Sequence, residues 1–298
     1  MLTNQMRLDA IDHVTGITSD GQRCLDFYAA VLGLPFVGRS EDFEAPESHL
    51  LSLAPEPGRP AGVLSFIEAP GIGLGRAGNG MVQALLWRVS TDDSVSYWDD
   101  RLADAGIETE RTDAGPAQGV RFADPEGLVH ELMPSDAGPA KAPATSSAIP
   151  GEHAIRGLAG VRAYGRNSVS SADILAGRLG FNLTGPDAYE VPGTGRTTVF
   201  AFDDPPVGRG SLGAGAIHHV AWAAQGGLGG WRQRVIGMGC VATPVIDRGH
   251  CRSIYFREPS GVLFEIATRE HHSARVAPAE IAPRLSPRVD PRVRAALV

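Results

Sequence analysis

The sequence predicts an α+β fold in which four βαβββ modules form two open, cup-shaped sheets. Glycine and proline are dense, with 37 Gly and 22 Pro in 298 residues, which suits short strands and tight turns better than long helices. Segments also repeat. FADPEGLVHELM (Phe122–Met133) lies on FREPSGVLFEIA (Phe256–Ala267), with Phe, an acid–Pro pair, Gly, an apolar pair and Glu in one order, so Glu131 falls on Glu265. Finally, every repeat follows one grammar: an apolar strand, a stretch with helical periodicity, then short strands closed by a D/E-P-x-G turn and a last apolar strand.

The modules cover about 8–69, 80–134, 155–203 and 215–268. Their opening strands align as well. GMVQALLWRV (Gly80–Val89) on GAIHHVAWAA (Gly215–Ala224) places Ala84 on His219, and AIDHVTGIT (Ala10–Thr18) on the same block places His13 there. The helical stretches include CLDFYAAVLGL (Cys24–Leu34), SVSYWDDRLADAG (Ser94–Gly106) and SADILAGRLG (Ser171–Gly180). Their apolar residues recur at three- and four-residue intervals, as a helix packed on a sheet requires, and the glycine after each is a C-cap candidate. PSDAGPAKAPATSSAIPGE (Pro134–Glu152) has no apolar periodicity and reads as a linker. The expected organisation is an N-terminal domain at 1–135, a linker at 136–152, a C-terminal domain at 153–270 and a basic, proline-interrupted tail at 271–298. Each domain would hold two modules, and two modules per half would give the two sheets. GIGLGRAGNG (Gly71–Gly80) imitates a dinucleotide fingerprint, but a strand rather than a helix follows, so it is an inter-module loop.

Composition removes several function classes. A formal net charge of −7 argues against a surface that tracks nucleic-acid phosphates. No apolar run is long enough for a membrane span, and the first ten residues lack a basic-then-apolar signal pattern. Cys24, Cys240 and Cys251 are scattered and form no disulfide framework. The expected location is the cytoplasm.

Chemistry follows from the repeats. The first-strand position holds His13 in module one, Ala84 in module two, no histidine in module three and His219 in module four. The last-strand position holds Glu131 in module two and Glu265 in module four, and Glu68 in module one is out of step. Only modules one and four can therefore supply a full set: His13, His219 and Glu265. Two imidazoles and one carboxylate describe an open non-haem metal site, with positions left for other ligands. Glu131, without histidine partners, reads as a solvated or salt-bridged remnant. His218 is adjacent to His219, so strict strand alternation turns it away unless the strand bulges. Cys251 reads as a small buried thiol, His271 and His272 as exposed, and His49, His130, His153 and His250 take no role.

The blocks LDFYAAVLGLPFVGRS (Leu25–Ser40), GAIHHVAW (Gly215–Trp222) and DRGHCRSIYFREPSGVLFEIAT (Asp247–Thr268) resemble the glyoxalase/bleomycin-resistance/dioxygenase superfamily, the vicinal oxygen chelate fold. The similarity runs from about Ala10 to Thr268. Within the superfamily it is greatest to four-module dioxygenases that cleave hydroquinone-type or catecholic rings. That resemblance implies metal ligands at His13, His219 and Glu265. It implies catalytic roles for Tyr255, Arg248 and His218, and substrate contacts at Thr15, Arg248 and Tyr255. It further implies Fe(II), or Mn(II), as the metal, O2 as co-substrate, a small aromatic substrate, no nucleic-acid or membrane partner, and possible self-association. Arg248 would stabilise oxyanion charge, and Tyr255 or His218 would shuttle a proton. Read from the residues alone, Arg248 is equally a surface partner of Asp247, and Tyr255 an ordinary core tyrosine. Asp12 stands where the family often has histidine; it puts negative charge beside His13 and removes one proton shuttle. The same triad also suits Zn, Ni or Mn in an isomerase or hydrolase that does not use O2. A protein that sequesters a small aromatic or drug-like molecule is the alternative outside enzymes.

Overall fold

The computed structural model describes residues 6–41, 48–54, 62–114, 117–135, 149–166, 168–194, 196–247 and 251–269. Arg248, His250, most of the expected linker and the tail from 271 onward lie outside the described residues.

Module one runs β1 (Arg7–Thr18), α1 (Gly21–Leu25), β2 (Phe36–Glu41), β3 (His49–Leu53) and β4 (Val63–Glu68). Module two runs β5 (Met81–Val89), α2 (Asp92–Asp104), β6 (Thr109–Ala114), β7 (Ala117–Ala123) and β8 (Val129–Pro134). Module three runs β9 (Leu158–Tyr164), α3 (Val169–Ala172), β10 (Asn182–Gly185), β11 (Ala188–Gly193) and β12 (Arg196–Asp203). Module four runs β13 (Ile217–Gln225), α4 (Leu228–Gly237), β14 (Ile246–Asp247), β15 (Cys251–Arg257) and β16 (Leu263–Arg269). The four βαβββ modules are thus present as the repeats predict.

Local chemistry explains the helices. Asp20, Thr91 and Ser168 each cap a helix start by accepting a backbone N–H three residues on. In α2 the buried Val95, Trp98 and Leu102 form one stripe. In modules one and three the helix continues as a π-helical turn, over Asp26–Val31 and Asp173–Arg178. Gly33, Gly106, Gly180 and Gly239 follow the helices with positive φ, as the capping role requires.

The chain makes two eight-stranded sheets, ordered β14-β15-β16-β13-β1-β4-β3-β2 and β10-β11-β12-β9-β5-β8-β7-β6. Each sheet draws one module from either half of the sequence: modules one and four share one sheet, modules two and three the other. A sheet from each half is therefore not what forms. The reason lies at the module edge. In the order 1-4-3-2 the first strand is left open on one side, and it closes antiparallel against the first strand of a module from the other half, β1 on β13 and β5 on β9. Residues 70–80 carry the chain across between sheets and meet the return segment through the bridges Leu74–Ala214 and Arg76–Ser211. Gly78 and Gly210 sit where these crossings touch, and a methyl group on either would strike the other's backbone.

Val14, Leu64, Phe66, Val220, Trp222, Phe264 and Ile266 turn to the core, which is continuous across both sheets and the helices. A buried polar chain ties module one to module two. The Trp87 indole N–H donates to His130 Nδ1 at 3.0 Å, His130 Nε2 lies 3.0 Å from Tyr28 Oη, and the Tyr28 hydroxyl donates to Asp124 Oδ2 at 2.8 Å. Asp124 accepts in turn from the Glu126 and Leu128 amides of the D-P-x-G turn. His130 is wholly buried, and burial pushes its pKa down to about 3. No helix among the described residues is long and apolar enough to cross a membrane.

Candidate metal centre

His13, Ala221, Glu265 and Tyr255 lie in one row across β1, β13, β16 and β15, each directly opposite the next. The neighbouring row holds Ser52, Ser65, Thr15 and His219. Directly opposed residues share a face, so all of these line the concave side, away from the core. This is why strands far apart in sequence bring the predicted triad together. His219 Nε2 is 2.9 Å from Glu265 Oε2, His13 Nε2 is 3.2 Å from the same oxygen, and the two Nε2 atoms are 3.3 Å apart. Among the described residues this is the one cluster of its kind that could hold a metal ion.

Two β-bulges shape the site. Between Ile11 and His13 the register against β13 slips by one, and Asp12 is the extra residue. Between Thr15 and Gly16 it slips again, and the extra residue is His218 on β13. A bulge cancels strict alternation, so each extra residue lies against the histidine that follows it. Asp12 Oδ2 is 2.8 Å from His13 Nδ1, and His218 Nδ1 is 2.8 Å from His219 Nδ1. A carboxylate only accepts, so His13 Nδ1 carries a proton and Nε2 is the nitrogen turned to the centre. Asp12, read from sequence as a lost proton shuttle, is thus the group that orients the His13 ring. The signal was there in its adjacency to His13, but the bulge that makes it count was not legible.

The electrostatics fit a cation. Glu265 is 1% exposed, and its Oε2 has no hydrogen-bond donor in proper geometry despite the two nearby ring nitrogens. Burial alone would raise the Glu265 pKa, but His13 and His219 hold it well below the usual carboxylate range. Burial opposes charging of His13, and the Glu265 and Asp12 carboxylates override it, lifting its pKa to about 9. A buried carboxylate oxygen facing two imidazole nitrogens, which offer lone pairs once their protons are displaced, is a donor set that suits a divalent ion. Ligand atoms about 2.1 Å from one ion and near right angles to each other fall about 3 Å apart, as these three do.

The remaining candidates are placed as follows. Tyr255 packs edge-on against His219, with ring centroids 5.3 Å apart. Thr15 is buried directly opposite His219. Cys251 is a buried free thiol. Glu131 is buried rather than solvated; it takes a hydrogen bond from Thr112 at 3.2 Å and an ion pair from Arg121 at 3.4 Å. His130, given no role from sequence, holds a buried structural network instead.

Paired βαβββ modules with two histidines and a glutamate in one cup define a vicinal oxygen chelate fold with a candidate metal site. The chain belongs to the glyoxalase/bleomycin resistance/dioxygenase superfamily, whose profile matches residues 10–132. It is 31% identical over 264 residues to MhqO of Bacillus subtilis strain 168, provisionally named a ring-cleaving dioxygenase, covering 87% of this chain and 84% of that protein. It is 25% identical over 279 residues to the chlorohydroquinone/hydroquinone 1,2-dioxygenase of Sphingobium indicum, covering 87% and 85%. A crystal structure from Bacillus subtilis, provisionally described as a dioxygenase, superposes with a TM-score of 0.79 at 30% identity, covering 88% of this chain and 86% of that one. Glyoxalase I of Zea mays superposes at 0.65 with 15% identity, covering 90% and 98%, a likeness of fold.

Proposed function

We propose that the protein is a metal-dependent dioxygenase that opens a hydroxylated aromatic ring of the hydroquinone or catechol type, with Fe(II) as the metal and Mn(II) as the alternative occupant. The observation that carries the reading is the convergence of His13, His219 and Glu265 within one cup, together with similarity over 87% of the chain to proteins named for this chemistry. A bound Fe(II) would supply the means to acidify a phenol and bring it into reaction with O2.

The chain's own residues would do the rest. Asp12 fixes the His13 ring, and the His218 ring, with its Nδ1 beside His219 Nδ1, would brace His219. Tyr255, opposite Glu265 and against His219, would pass a proton to or from a substrate oxygen. Thr15 lies on the opposite flank, within the same cup. Arg248 is proposed to offer a guanidinium to developing oxyanion charge.

The test is oxygen uptake by anaerobically Fe(II)-loaded protein with a panel of hydroquinones and catechols, beside Glu265→Ala. Uptake that needs both substrate and Glu265 is the expected result. Stoichiometric metal with no uptake across the panel would favour chemistry that does not use O2. No metal and no uptake would favour a small-molecule binding protein.

A further inference from the structure

The wall of the cup contributed by module one carries a row of hydroxyls, Thr15, Ser65 and Ser52, on three adjacent strands leading away from His219. We propose that the Ser65–Ser52 pair is a second recognition point, reading an oxygen on the substrate ring distal to the one held at the metal centre. The inference rests on the proposed action on a hydroxylated ring, and it assigns the side chains that would tell a 1,4-dioxygenated ring from a 1,2-dioxygenated one.

Ser65 is 3% exposed, and its Oγ lies 3.2 Å from Ser52 Oγ. Burying hydroxyls is unfavourable unless they are bonded. Two hydroxyls bring two donors, and their mutual bond uses one. The other has no partner among the described residues, so the pair keeps one O–H for an acceptor.

The second sheet supplies an internal control. Its register is the same, and there Thr15, Ser65 and Ser52 correspond to Arg162, Ala201 and Ala188. Alanines at these positions keep the strand pairing intact, so the fold does not call for the serine hydroxyls. Both serines occur in the cup that has the ligand triad and neither in the cup that lacks it.

Reach selects the ligand. Ser65 lies on β4, one strand beyond the nearest ligand strand β1 and two beyond β13, the middle one, and adjacent strands are about 4.8 Å apart. The two oxygens of a 1,4-diol ring are separated by a little more than one such spacing, so a ring held at the centre extends its distal oxygen toward β4. A 1,2-diol keeps both oxygens at one end and leaves nothing for Ser65 to bind.

The test is an anaerobic titration of Fe(II)-loaded protein with hydroquinone, with catechol and with phenol, which lacks the distal oxygen. Hydroquinone is expected to bind more tightly than phenol. Ser65→Ala and Ser52→Ala should each weaken hydroquinone binding about three- to tenfold, the worth of one hydrogen bond. Phenol binding, catechol binding and metal content should stay unchanged in both. Equal loss for phenol and hydroquinone would assign the serines to packing and overturn the inference. So would a wild-type protein that does not distinguish the two ligands. Oxygen uptake is read separately: serine-dependent preference without uptake would retain the recognition point and remove the dioxygenase reading.

Discussion

The two sheets share the two bulges nearest the site, yet among the described residues only one brings a candidate ligand set together. In the first sheet the extra residues at the bulges are Asp12 and His218; in the second the same bulges occur at Ala159 and Gln83. The row Val63–His13–Ala221–Glu265–Tyr255 has the counterpart Val199–Gly160–Leu86–Glu131–Arg121. His219 is matched by Ala84 and Thr15 by Arg162. Bulged, paired strands are therefore a property of the fold, and the candidate metal centre is a property of the side chains placed on them. The second cup is also closed to a metal by packing and charge. At Gly160 a Cβ would run into the Val199 carbonyl oxygen, and the glutamate that survives there is already engaged by Arg121 and Thr112.

The comparison can be broken most severely at the ligands. His219→Ala should remove tight metal binding altogether, whereas Ala84→Ser, at the corresponding position, should change metal content not at all; elemental analysis after loading and desalting decides it.

A second contrast concerns the contacts between neighbouring modules. Trp87, His130 and Tyr28 correspond to Trp222, Phe264 and Leu175, and with phenylalanine in place of histidine the Trp222 indole N–H is buried without a partner. His130 stays neutral in the fold, with its pKa near 3, while in an unfolded chain it titrates near 6.5. Below pH 6.5 the unfolded chain binds a proton that the folded chain does not, so stability falls as pH falls from about 6.5 toward 3. The slope from this group approaches about 1.4 kcal/mol per pH unit. Denaturant titrations of the wild type and His130→Phe at a series of pH values should show that slope in the difference; parallel profiles would mean that His130 does not titrate as its burial requires.

Smaller effects sharpen the picture. Gly160→Ala should cost about 1–3 kcal/mol, as overpacking does, measured by denaturant unfolding, while Gly119→Ala tests a second close approach in the same sheet. Asp12→Asn should lower metal affinity about 10- to 100-fold without unfolding the protein, because it weakens the hold on His13 Nδ1. A competitive chelator titration with thermal melting alongside measures both.

Much of this was legible in the sequence because repeats make positions comparable. Aligning Glu131 with Glu265 and Ala84 with His219 points to His13, His219 and Glu265, which the fold brings together, and the alternation of apolar residues marks the strands. What escaped reading depends on departures from regularity. A one-residue bulge reverses the face on which Asp12 and His218 fall, and no local pattern marks it. The pairing of modules one with four and two with three depends on which open edges meet, a long-range choice. Glu131 read as a remnant correctly in being ion-paired, but its burial comes from the strands around it. The buried role of His130 needs Trp87 and Tyr28, from two modules, to be seen together.

The most direct test of the central claim is metal stoichiometry in three proteins loaded in parallel: wild type, Glu265→Gln and Glu131→Gln. One ion per chain in the wild type and in Glu131→Gln, with loss in Glu265→Gln, is the predicted result. Two ions per chain, or equal behaviour of the two variants, would contradict a single centre in the sheet of modules one and four.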